Sequence, residues 1–187
     1  RSSDLLRPAF DKPFGTVTPG NSSQITDGAA SLVLASADAV EKYDLPVLAR
    51  LVTTQWAGLA PDEMGLGPAH AIAPLLRSRR LKVDSIDYWE INEAFAAQVL
   101  AVVEALKDKS YCKEHLGLGT AIGEIPMDRL NIHGGGISLG HPVGASGARI
   151  VLHLAKTLQK KKAKRGIASL CIGGGQGGAM LIEREGV

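Results

Sequence analysis

The 187-residue sequence predicts an α/β fold. Three observations carry that prediction. Short β-branched apolar runs alternate with segments whose apolar residues recur at helical spacing. The last two apolar runs are separated by a glycine turn, CIGGGQGG, short enough to make them antiparallel neighbours. The chain carries 22 glycines and few aromatic residues, which implies many tight turns and close backbone approaches.

The elements follow in order. Residues 1–28 are turn-rich, with Pro8, Pro13, Gly15, Pro19 and Gly20, and are expected to pack against something else. AASLVLAS (29–36) is a continuous apolar run and reads as a buried strand. Residues 38–43 look helical. LPVLARLVTTQWA (45–57) is β-branched and predicts a long strand. PAHAIAPLLRSRR (68–80) opens on Pro68, suited to a first helical turn, and predicts a helix. IDYWEI (86–91) predicts a strand. EAFAAQVLAVVEALK (93–107) predicts a helix, apolar nearly all round and therefore buried. Residues 111–128 form a polar excursion. Residues 144–161 predict a helix with Ile150, Val151, Leu154 and Leu158 on one side. Residues 163–172 and 178–184 are the closing strands.

Composition excludes several classes. With 21 basic against 19 acidic residues, the chain is no dedicated nucleic-acid binder. The basic cluster Lys160–Lys162, Lys164 and Arg165 suits a helix C-terminus, where cations complement the dipole; attraction for ligand phosphates is its functional alternative. Two cysteines, Cys112 and Cys171, make no disulfide framework and point to a reducing compartment. No apolar run approaches the roughly 18 residues of a membrane span. No signal peptide is visible, and the expected location is cytoplasmic, with an organelle matrix as the alternative. The sequence begins without methionine and is expected to be the interior of something longer.

Three segments can carry chemistry. In NEAF, Asn92 lies between a predicted strand and a predicted helix, where open α/β sheets place their ligands. It can hold a water or a substrate oxygen there, or simply cap the helix, and taken alone the cap is the better reading. In GHPVGASG, His141 stands between glycine runs that permit close approach. His133 reads as packing or hydrogen-bonding support; His70, His115 and His153 have no comparable setting. In CIGGGQGG, Cys171 ends an apolar strand at a glycine turn. That setting predicts either an exposed thiol or an inert buried one. The Gly173 and Gly174 N–H groups can form an oxyanion hole. A thiol beside a histidine would have its pKa lowered from roughly 8.5 and could take a proton from the carbon next to a thioester. The glycines also match GxGxxG, but AMLIE after them reads as a strand where that fingerprint needs a helix. The histidine spacing suggests no metal site.

NEAFAAQ, NIHGGGISLGHPVGASGAR and CIGGGQGGAM together resemble the thiolase family, and RPAFDKPFGTVTPGNSSQITDGAA and MGLGPAHAI extend the resemblance over almost the whole chain. The resemblance implies a thiolase-like fold, the βαβαβαββ C-terminal half of a five-layer αβαβα architecture. Residues 1–45 would end the N-terminal domain and 46–187 would form the C-terminal domain. It implies acyl transfer between coenzyme A thioesters, with acyl-CoA and coenzyme A as substrates and no cofactor. His141 would activate a nucleophilic cysteine that belongs to the missing N-terminal half. Asn92 would hold a water in one oxyanion hole, and the Gly173 N–H would serve a second. Cys171 would move a proton to or from the α-carbon. Ser23 and Met64 would line the pantetheine tunnel. The implied partners are that missing half and further copies in a homo-oligomer; the chain alone is expected to be inactive. The alternatives are a non-catalytic thiolase-like assembly module and a ketoacyl-synthase-like condensing enzyme, which typically shows two histidines where this chain has Asn92 or Cys171 with His141.

Overall fold

The computed structural model describes residues 6–186. Residues 1–5 and 187, the outermost ends of the two expected segments, lie outside the described residues. The elements are α1 (Ala37–Tyr43), β1 (Arg50–Gly58), α2 (Gly67–Ser78), β2 (Tyr88–Ile91), α3 (Ala96–Lys107), α4 (Lys109–Glu114), α5 (Gly136–Leu139), α6 (Ser146–Lys161), β3 (Arg165–Ile172) and β4 (Gln176–Glu183). The strands form one mixed sheet in the order β1-β4-β3-β2. β2 and β3 run parallel, and β4 is antiparallel to both β1 and β3.

Alternation along the strands sends side chains to two cores. Ile167 and Leu181 join α2 and α3 on one face. Their sequence neighbours Ala168 and Ile182 join Ile150, Leu154 and Leu158 of α6 on the other. Helices therefore cover both faces of the sheet. α2 lies so close to β4 that a Cβ on Gly177 would overlap the Gly67 carbonyl. At the far end of the sheet, Arg50 and Arg165 both pair with Glu183, at 2.7 and 2.9 Å. The basic cluster falls at the end of α6, where Lys162 closes the helix with φ +53°.

Two expectations are corrected. Residues 29–36 form no strand; they are irregular and exposed, Val33 at 92%. An apolar run becomes a strand only against a partner edge, and none of the described strands pairs with it. The α3 helix is not buried all round: Leu100, Ala101 and Glu104 face outward while Val99, Val102, Val103 and Leu106 are buried. The described residues before α1 carry exposed apolar side chains, with Phe10, Phe14, Ile25 and Leu34 all largely exposed. Among the described residues no helix is long and apolar enough to cross a membrane.

Candidate active site

The site lies at the carboxyl ends of β2 and β3. Asn92 directly follows β2 and is buried; its N–H donates to the Ser169 carbonyl at 2.9 Å, tying it to β3 two residues before Cys171. The helical cap is not its role. α3 starts only at Ala96, without a side-chain cap, and the Asn92 side chain turns instead to His141, its Nδ2 standing 3.4 Å from His141 Nε2. Asn92 Oδ1 is buried and has no hydrogen-bond partner among the described residues.

His141 is held from several directions. Its backbone N–H donates to the Gln24 carbonyl at 2.9 Å. Its Nδ1 lies 2.6 Å from the Ser146 hydroxyl. Arg149 donates to the carbonyl of the preceding Gly140 at 2.9 Å. Gly140 has φ +85°, and a Cβ there would run into Thr26, so only glycine fits. Burial first, and the Arg149 charge second, push the imidazole pKa below its ordinary value. His141 is therefore neutral at neutral pH and can accept a proton.

Residues sequence reasoning missed set the frame around this pair. Residues 130 and 131 run along the free edge of β2, where Trp89 bridges Leu130 in parallel and Asn131 N–H donates to the Trp89 carbonyl at 2.9 Å. The Asn131 side chain then acts as a further strand residue. Its Oδ1 accepts from Ile91 N–H at 2.9 Å and its Nδ2 donates to the Ile91 carbonyl at 2.8 Å. The same Nδ2 donates to Glu93 Oε1 at 3.1 Å, and Glu93 Oε2 accepts from Ile137 N–H at 3.2 Å. Side chains on Gly135 and Gly136 would collide with Glu93, so the glycine run lets the loop before His141 close on the turn after β2. Both residues lie inside the motifs, but no spacing signal distinguishes their contacts.

Cys171 stands opposite Gly177 on β4. It is buried, 7% exposed, and desolvation raises its thiol pKa. Of the two settings expected for this thiol the structure shows the buried one, and burial disfavours the thiolate. Among the described residues no hydrogen bond joins Cys171 to His141 or Asn92. At neutral pH this sulfur holds a proton it can give. Just beyond it, Gly173 is exposed, with open space where a side chain would be. Gly175, at φ +85°, pins the turn against Leu59, whose N–H donates to the Gly175 carbonyl at 2.8 Å.

Ser23 and the turn that holds Met64 both lie near the start of α3. Ser23 N–H donates to the Ala94 carbonyl at 2.9 Å. Met64 lies in a 3₁₀ turn beside Gly65, which packs on Gln98. The other histidines lie apart. His133 Nδ1 lies 3.1 Å from His153 Nε2, and His153 Nδ1 lies 2.8 Å from the buried Glu90 carboxylate, so His153 does have a structural setting. His70 hydrogen-bonds Tyr111 at 2.9 Å. Cys112 is wholly buried.

The fold and site define an α/β protein that gathers an amide, an imidazole and a protonated thiol at the end of one mixed sheet. Residues 45–184 match the family described as thiolase, C-terminal domain, and residues 3–38 match thiolase, N-terminal domain. The 3-ketoacyl-CoA thiolase of Marinobacter nauticus is 45% identical over 179 residues, which covers 96% of this chain and 42% of that protein. The crystal structure of the Bacillus anthracis acetyl-CoA acetyltransferase superposes with TM-score 0.83 at 43% identity, covering 98% of this chain and 42% of that one. Human mitochondrial 3-ketoacyl-CoA thiolase in complex with CoA gives TM-score 0.79 at 38% identity, covering 97% and 41%. The chain belongs to the thiolase family. It spans about two fifths of the length of the relatives it matches.

Proposed function

We propose that this chain supplies the acid/base and oxyanion groups of a thiolase that moves acyl groups between coenzyme A thioesters. The nucleophilic cysteine comes from the N-terminal part of the enzyme, of which this chain matches only residues 3–38. The observation that carries the reading is the Asn92–His141 contact at the carboxyl end of β2, with Asn92 Oδ1 buried and unpartnered among the described residues. An acceptor in that position suits a bound water, whose second hydrogen can then point at a thioester oxygen.

In the thiolysis direction His141 takes the proton of the nucleophilic cysteine, and the thiolate attacks the keto carbon of a 3-ketoacyl-CoA. The bond between the keto carbon and the α-carbon breaks, leaving an acyl-enzyme thioester and the enolate of acetyl-CoA. The protonated thiol of Cys171 delivers its hydrogen to that carbon. Coenzyme A thiol, giving its proton back to Cys171, then attacks the acyl-enzyme and releases a shortened acyl-CoA. The Gly173 N–H supports the oxyanion of this second half-reaction. Each half uses one covalent step in place of a harder direct transfer. Claisen condensation of two acetyl-CoA molecules is the reverse. Ser23 and Met64, flanking the start of α3, are the proposed contacts for the pantetheine arm. The enzyme is proposed to be a homo-oligomer.

The test is reconstitution. The 187-residue chain is mixed with a separately expressed thiolase N-terminal part carrying its nucleophilic cysteine, and 3-ketoacyl-CoA consumption is followed with added coenzyme A. Turnover is expected from the mixture and from neither piece alone, with His141→Ala and Cys171→Ala each losing on the order of a hundredfold or more. Turnover by this chain alone, or full activity of a Cys171→Ala mixture, would overturn the assignment.

A further inference from the structure

Ser146 opens α6 and is fully buried. Its hydroxyl lies 2.6 Å from His141 Nδ1. A hydroxyl has one proton to donate. Here a carbonyl takes it, because Ser146 Oγ donates to the Pro142 carbonyl at 3.1 Å, and a carbonyl only accepts. Toward His141, Ser146 Oγ is therefore the acceptor, and Nδ1 carries the hydrogen. On a neutral imidazole that leaves Nε2 with its lone pair bare. Nε2 is the nitrogen that faces Asn92 Nδ2, a donor, so the two ends of the chain agree.

We infer that Ser146 is a positioning residue that sets the tautomer of His141. By donating to Pro142 it holds the imidazole in the Nδ1–H form and leaves Nε2 as the basic nitrogen at the Asn92 end. The consequence for catalysis rests on the thiolase reading above; the tautomer itself is a property of this chain. Replacing Ser146 by alanine removes the acceptor for a buried N–H. The proton then moves to Nε2, and the Asn92 amide turns to present its unpartnered Oδ1 to it. The base is lost without any substitution in the residues that touch substrate.

The test is long-range proton–nitrogen NMR on the 187-residue chain labelled with ¹⁵N-histidine. It is run at mildly alkaline pH, where neutral rings give distinct bare and hydrogen-bearing nitrogens. The chain has five histidines, and a His141→Gln sample assigns the ring in question. The expected wild-type result is hydrogen on Nδ1 and a bare Nε2. Ser146→Ala should shift His141 to the Nε2–H form or a mixture, and Ser146→Thr, which keeps a hydroxyl, should restore Nδ1–H. A wild-type Nε2–H ring, or a Ser146→Ala spectrum unchanged at His141, overturns the proposal. If Ser146→Ala does not fold, the wild-type and Ser146→Thr spectra still decide it. In the reconstituted enzyme Ser146→Ala should lower kcat about tenfold or more with little change in KM, since the fault lies in proton transfer. A wild-type Nδ1–H ring in a mixture that shows no thiolysis would refute the thiolase reading and leave the tautomer assignment standing.

Discussion

Asn131→Ala should destabilise this chain far more than a half-exposed loop residue ordinarily does. The side chain makes two hydrogen bonds to the backbone of Ile91 and one to the Glu93 carboxylate. Neutral bonds of this kind contribute about 1 kcal/mol each, and the one to a charged group about 1.5–3. The residue also sits at φ +47°, where alanine costs about 1–2 kcal/mol and asparagine is better tolerated. The sum is roughly 5 kcal/mol, of which water returns part because Asn131 is only half-buried, leaving about 3 kcal/mol. That is a large share of the roughly 5–15 kcal/mol that holds a typical domain together. The assay is equilibrium urea unfolding of wild type, Asn131→Ala and Asn131→Gly. Glycine removes the same bonds but tolerates the positive φ, so it should recover about 1 kcal/mol relative to alanine. A loss below about 1 kcal/mol for Asn131→Ala would refute the view that this side chain completes the edge of β2. A glycine variant no better than alanine would refute the backbone part of the sum.

Three further outcomes are expected. The His153 pKa is raised, chiefly by its hydrogen bond to Glu90. The stability that pair contributes is therefore fully present below the unfolded-state value of about 6.5 and is lost as pH rises through the higher folded-state value. The stability gap between wild type and Glu90→Gln should shrink as pH rises above about 6.5, and a gap that widens instead would reverse the assignment. Gly177→Ala places a methyl group against the Gly67 carbonyl and should cost at least about 1–3 kcal/mol, read as a drop in the urea midpoint. Cys171, buried with a raised pKa, should react with a disulfide reagent more than about tenfold more slowly in the native chain than in denaturant, and fast native labelling would contradict its burial.

Much of this architecture was legible in the residues. The α2 and α6 helices followed from periodicity and from Pro68, and the antiparallel β3–β4 hairpin from its glycine turn, because all three depend on neighbours a few residues apart. The failures share a cause. Residues 29–36 have the composition of a strand but no edge to pair with. Asn92 had the local setting of a helix cap, and its true neighbour is 49 positions away in sequence. Glu93, Asn131 and Ser146 lay inside motifs with nothing in their spacing to say what they bond.

The sequence by itself determined the α/β class, most of the elements, and which three motifs carry Asn92, His141 and Cys171. Tertiary structure alone decided what state those groups are in. Burial inside the sheet decided between the two settings expected for Cys171 and raised its thiol pKa, while burial and the nearby Arg149 lowered that of His141. Residue type sets a group's ordinary pKa, but its shift depends on how much water the folded chain removes and which charges it brings near. Those are properties of the packed molecule, and no stretch of sequence contains them.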